Sequence, residues 1–247
     1  MPKVQSQSGT GAPISPETRA PALRPLDSAT LIIIDRSGKN PKVLMGRRHD
    51  GHKFMPSQFV FPGGRVEPSD RQMSVAGSLH PRAEQALMER VSRPSWQRCR
   101  ALALAAIRET FEETGLMLGS KDYGAPESTP PGPWAAFQER GVFPELDTLQ
   151  FVARAITPPK RVKRFDTRFF AVDNDCVADF VDGVVGPDSE LVELAWVTFT
   201  QAQKLDLPDI TRKVLQELES RIAAGFIHEL PVPFFHTRNG RFVQEWL

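Results

Sequence analysis

Apolar residues recur along the chain at two spacings. Short aliphatic runs at residues 29–34 (ATLIII) and 43–45 (VLM), separated by the turn-forming Ser37-Gly38-Lys39-Asn40-Pro41, predict a pair of strands. Residues 149–156, 167–172 and 194–199 read as further strands, and residues 234–237 and 241–245 flank Asn239-Gly240, a strong signal for a tight hairpin. Helical spacing appears over residues 209–224, where Ile210, Val214, Leu218 and Ile222 share one face, and over residues 81–91 through Ala83, Ala86, Leu87 and Val91. A short helix is expected at 134–140, after an irregular loop over 120–133 that holds four prolines. Strands interspersed with a few amphipathic helices, and no internal repeat, point to an α/β fold.

The most informative helix begins near Ser95, after Pro94, and ends at Gly115. Its apolar run, residues 101–107, leads into Arg108-Glu109-Thr110-Phe111-Glu112-Glu113-Thr114-Gly115-Leu116. At about 100° per residue, Glu109, Glu112 and Glu113 fall in one sector, with Leu104, Ile107 and Phe111 roughly opposite. Acid in a final turn opposes the helix dipole, at about 0.3–1 kcal/mol for each charge. A local rule broken in this way marks a candidate functional site, and a hard divalent cation is the natural compensation for clustered carboxylates. A solvated acidic face is the plainer reading of the same three residues.

Upstream, Phe59-Val60-Phe61-Pro62-Gly63-Gly64-Arg65-Val66-Glu67-Pro68-Ser69-Asp70 ends a β-type run in a glycine pair, where backbone can approach a ligand closely. Taken with the acidic helix, this resembles the Nudix box, G-x5-E-x7-R-E-U-x-E-E-x-G-U, in which U is aliphatic. Three departures stand out. Asp70 replaces the first glutamate, Thr110 takes the first U position, and 37 residues (71 to 107) fill an interval that holds seven in the pattern. A box split by a long insertion is similar to the branch that includes peroxisomal coenzyme A diphosphatases. Arg48, Phe54-Met55-Pro56 and Arg164-Phe165-Asp166-Thr167-Arg168-Phe169-Phe170 resemble that branch too.

The resemblance implies an α/β/α sandwich with a mixed sheet, a helical insertion inside the box and a C-terminal hairpin. It implies a Mg²⁺- or Mn²⁺-dependent diphosphatase whose metals are held by Glu109, Glu112, Glu113 and the main-chain carbonyl of Gly63. Arg108 would orient the neighbouring carboxylates, and Asp70 would fix the glycine loop or open the next helix. For a base outside the box, Glu190 in Gly186-Pro187-Asp188-Ser189-Glu190 is the candidate and Glu193 the alternative. The substrate expected first is coenzyme A or an acyl-coenzyme A. ADP-ribose, a dinucleotide or an oxidised nucleotide comes next, and a non-catalytic ligand sensor last.

Charge and composition narrow the partners. With 31 basic and 30 acidic residues, net charge is +1, so no global field draws the chain to nucleic acid or membrane. Local clusters must supply anion recognition: Arg47, Arg48 and Lys53 before the glycine loop, and Lys160, Arg161, Lys163, Arg164 and Arg168 after Thr157-Pro158-Pro159. A nucleotide with an extra 3'-phosphate would use such a surplus. Cys99 and Cys176 form no disulfide framework, and His49 and His52 lack companions for a zinc site. No 18-residue apolar run or secretory core is present, which predicts a soluble cytoplasmic protein. A disordered tail is expected over residues 1–24 and a single domain over 25–247, with a homodimer left open.

Overall fold

A computed structural model describes residues 23–51 and 56–247. The expected tail falls almost wholly outside these, as do His52, Lys53, Phe54 and Met55. In chain order the elements are β1 (Leu26–Asp35), β2 (Lys42–Arg48), β3 (Phe59–Val60), β4 (Gly63–Arg65), α1 (Pro81–Met88), α2 (Trp96–Thr114), β5 (Leu116–Leu118), α3 (Trp134–Arg140), β6 (Gln150–Ile156), β7 (Phe165–Asp173), β8 (Val177–Phe180), β9 (Leu191–Thr198), α4 (Phe199–Ala202), α5 (Asp209–Ala223), β10 (Pro233–Arg238) and β11 (Arg241–Trp246).

The continuous apolar run of β1 suits a strand buried on both faces. Ala29, Leu31 and Ile33 pack with Leu102, Ala105 and Ala106 of α2, whereas Ile32 and Ile34 pack with Val214, Leu215 and Leu218 of α5. Helices therefore cover both sides of one mixed sheet, in the order β11-β10-β6-β7-β1-β2-β3, with β4 also on β1 and β9 also on β2. β1 runs parallel to β7 and antiparallel to β4, which places Gly64, Ala29 and Arg168 side by side. This is the expected α/β/α sandwich.

Local chemistry explains the helix that carries the acidic cluster. The Ser95 side chain caps α2 by accepting the Arg98 N–H at 3.2 Å. Residues 101–107 are all buried, and Thr110, buried at an aliphatic position, satisfies its hydroxyl by donating to the Ala106 carbonyl at 2.8 Å. Gly115 ends the helix at φ 78°, its N–H bonded to the Phe111 carbonyl at 2.8 Å.

Three details differ from the sequence reading. The helix expected over 81–91 stops at Met88, with Arg90 at φ 52°. The strand expected over 194–199 spans Leu191–Thr198, because Thr198 and Gln201 form a capping box that turns Phe199 into a helix. Leu116–Leu118 and Val177–Phe180 pair as a separate two-stranded sheet, whose short segments carry little pattern. The hairpin turn places Asn239 at φ 51° and Gly240 at φ 77°, as a primed turn requires.

Gly115 yields a stability test. A Cβ there would lie 2.2 Å from the Val181 carbonyl oxygen, in a conformation that costs a non-glycine residue about 1–2 kcal/mol even without a clash. Gly115→Ala is expected to lose at least about that much, read as a lower urea midpoint with an unchanged slope. An unshifted midpoint would show that the cap does not anchor the helix.

Candidate active site

One buried guanidinium organises the region. Arg108 is 2% exposed; its Nε donates to Asp70 Oδ1 at 2.7 Å and its Nη2 to Asp70 Oδ2 at 3.1 Å. Nη2 also donates to the Arg65 carbonyl at 2.8 Å, and Nη1 reaches Glu109 Oε1 at 3.0 Å and the Glu112 carboxylate. Asp70, fully buried, accepts the Glu67 N–H at 2.7 Å. Arg108 thus ties α2 to the loop that follows the glycine pair. Burial alone would lower its pKa, but the Asp70 bond and the Glu109 and Glu112 charges outweigh that and raise it.

The glycine pair is fitted to the carboxylates. A Cβ on Gly64 would fall 2.3 Å from the Glu109 carboxyl carbon, so only glycine lets that side chain lie against the strand. The Gly63 N–H donates to Glu113 Oε2 at 3.2 Å. Glu190 arrives from the loop before β9, held by Arg48 Nη2 at 2.9 Å. Burial pushes Glu109 up to about 7, against the pull of Arg108 and with a further push from Glu112. Glu113 is raised well above its usual range, by burial first and then by Glu190 and Glu109. Glu109 and Glu113, both raised with other carboxylates among the causes, are short of positive charge.

A divalent cation is the counter-charge this set fits. The donors are hard carboxylate oxygens beside a backbone loop, and burial pushes two of them, Glu109 and Glu113, above the usual carboxylate range. Among the described residues no three acidic, histidine or cysteine side chains already stand gathered as a ligand cage. Arg108 holds Glu109 and Glu112 oxygens instead.

The same architecture occurs in solved structures. The crystal structure of a Nudix hydrolase from Alicyclobacillus acidocaldarius is 28% identical over 78% of this chain and 90% of that one, with a TM-score of 0.57. The chain has the Nudix fold. A MutT protein from Methanosarcina mazei Go1 (15% identity, 81% of this chain and 96% of that one, TM-score 0.42) and a Nudix hydrolase from M. smegmatis (16%, 81% and 87%, TM-score 0.39) are also similar. No protein-family model matches, and no curated protein does.

On this Nudix frame the box residues meet as one group, whereas the basic residues separate. Arg48 reaches Glu190, and Arg47 pairs with Glu193 at 3.1 Å and Asp50 at 3.4 Å. An open depression of about 330 Å³ lined by Arg47, His49, Asp50, Pro187 and Val192 lies beside them. Arg168 does not belong to a substrate site. It is fully buried on β7, 3.0 Å from Asp27 and 3.1 Å from Asp166. Arg164 spends its guanidinium on the carbonyls of Thr157 and Leu23, at 3.0 and 2.7 Å. Lys163 is exposed, in a loop at the Leu26 end of β1.

Sequence reading missed the polar cluster that claims Arg168. Asp27 also binds Arg98 at 2.7 Å, and Asp166 binds Arg154 at 2.8 Å. A signal was present: Asp166 and Arg168 sit two apart in a strand and so face one side. Their register with Asp27 and Arg154 depends on strand pairing distant in sequence.

The raised carboxylate gives the metal-free protein a pH dependence. Glu109 moves from 4.5 unfolded to about 7 folded, so the folded state keeps a proton that the unfolded chain releases. Stability from this group is present below the unfolded value and is lost as pH rises through the folded one, by up to about 3 kcal/mol. Thermal melts in EDTA should therefore fall from pH 5 to pH 8 more steeply than those of Glu109→Gln, and added Mg²⁺ should raise the wild-type melt most at the alkaline end. Parallel wild-type and Glu109→Gln profiles would refute the shift.

Proposed function

We propose that the chain hydrolyses a nucleoside diphosphate linked to another group, and that coenzyme A or an acyl-coenzyme A is its substrate. The observation that carries the hydrolytic reading is the convergence of Glu109, Glu113 and Glu190 beside Gly63 and Gly64 on a Nudix fold. Coenzyme A is favoured by the box split between Asp70 and Arg108 and by the flanking segments similar to those of coenzyme A diphosphatases.

Glu109, Glu112, Glu113 and the Gly63 carbonyl would hold Mg²⁺ or Mn²⁺, which supplies charge neutralisation on the diphosphate and a more acidic water. Glu190 is the proposed base: it takes the proton of the attacking water, and Arg48 fixes its carboxylate. Water oxygen bonds to one phosphorus as the bridging P–O bond breaks, and the leaving phosphate carries away that electron pair. Arg47, which lines the open depression, would meet the entering anion there, with Arg48 beside Glu190 behind it. Arg108 keeps its orienting role.

Glu113→Gln should lower kcat about a thousandfold, or about 4 kcal/mol in the barrier, with the fold and the apo melting temperature preserved. Turnover near wild type at saturating Mg²⁺ would refute the site. Purified protein should release 3',5'-ADP and a phosphopantetheine product from coenzyme A, with ¹⁸O from labelled water in one of them. If kcat/KM for ADP-ribose or a dinucleotide exceeds that of every coenzyme A ester, the coenzyme A reading fails and the hydrolase reading stands.

A further inference from the structure

Among the described residues, the sheet ends on a strand with no further strand paired to its outer side. β11 is the last strand in the order and pairs with β10 alone, without a bulge. Its backbone polarity follows from one bonded pair: Leu247 donates to Val232 and Val232 to Leu247. Hydrogen-bonded and non-bonded pairs alternate along an antiparallel ladder. Arg241, Val243 and Glu245 therefore direct their N–H and C=O groups to β10, and Phe242, Gln244 and Trp246 direct theirs outward. Proteins usually blunt such an edge with proline, lysine, a bulge or a very short strand. β11 has six residues and none of those devices; β3, at the other end of the order, has two residues.

The side chains on that edge are matched to their own copy. Phe242 and Trp246 are 52% and 51% exposed, and they share with Gln244 the face that looks toward α5, where Lys213 lies over the Phe242 ring at 5.3 Å. Only residues with outward groups can form bonded pairs with an incoming strand. The antiparallel register that uses all three sets Gln244 opposite Gln244 and Phe242 opposite Trp246, with two backbone bonds at each of the three pairs. It also stacks an aromatic against an aromatic twice, a favourable cross-strand pair. On the opposite face Arg241 becomes the diagonal neighbour of Glu245 in the second copy. Glu245 already receives Arg90, His236 and Arg238 within its own chain, so this diagonal sets direction: a parallel arrangement would oppose like charges.

We propose that β11 is a homodimer interface, in which a second copy adds its β11 antiparallel about a two-fold axis at Gln244 and continues the sheet across both subunits. This goes beyond the hydrolytic reading and does not depend on it.

Sedimentation of the full chain over a concentration series should show a monomer–dimer equilibrium. Gln244→Pro removes only an outward N–H and leaves the ladder to β10 intact, so it should raise the dimer dissociation constant about tenfold or more with unchanged melting temperature and turnover. Should that variant fold poorly, Gln244→Cys tests the same geometry by gain. Position 244 faces itself about 5.5 Å away between Cα atoms, so a short bis-maleimide should link two chains. Arg241→Cys should not be linked, because its two copies lie about 20 Å apart along the strands, and wild type, with Cys99 buried, is the background control. A wild type that stays monomeric at every concentration overturns the proposal. So does a dimer that Gln244→Pro leaves unweakened, or linkage at 241 rather than 244.

Discussion

The buried guanidinium of Arg108 is the constraint on which the end of the molecule that carries the glycine pair and the acidic helix depends. It lies 2% exposed among Asp70, Glu109, Glu112 and the Arg65 carbonyl. A charge at that depth persists only when paired and fully hydrogen-bonded. Asp70 meets it with two oxygens, and those bonds fix where the glycine loop sits relative to the last turns of α2. The two glycines then decide how near the carboxylates come: Gly64 admits Glu109, and Gly63 holds Glu113 through its N–H. Position, packing and charge at the site thus trace to one residue.

That arrangement concentrates negative charge and leaves part of it unbalanced. Arg108 serves Asp70, Glu109 and Glu112, while among the described residues Arg48 is the cation beside Glu113 and Glu190. The molecule tolerates carboxylates in the last turn of a helix, against the dipole, because the apolar face of α2 is buried along residues 101–107. Hydrophobic packing on one side of the helix supports an electrostatically unfavourable side that is available for chemistry.

Much of this was legible where the signal is local. The apolar run of β1, the helix ending at Gly115, the Asn239-Gly240 turn and the spacing of Glu109, Glu112 and Glu113 each depend on residues within a few positions. Asp70 and Arg108 could be assigned to one motif across their interval, but whether Asp70 braced the loop or capped a helix needed the bonds themselves. The failures come from long-range pairing. Arg168 reads as a free cation beside Lys163 and Arg164, yet β7 lies against β1 and β6, and Asp27 and Asp166 enclose it. Strands as short as β5 and β8 show no period at all before they pair.

The interval between Asp70 and Arg108 has a consequence for how the fold tolerates change. Its two ends are clamped together by the same bidentate bond, so the 37 residues between them behave as a closed excursion. Closure entropy grows only with the logarithm of length, and extending such a loop from seven residues to 37 adds about 1.5 kcal/mol. Ala83, Ala86 and Leu87 of α1 bury themselves against the main core, and burying a few such side chains offsets a penalty of that size. The part of the excursion ahead of α2 is in effect a graft: it can vary in composition and length while the clamp at its base and the buried face of α2 keep the acidic cluster in register with the glycine loop.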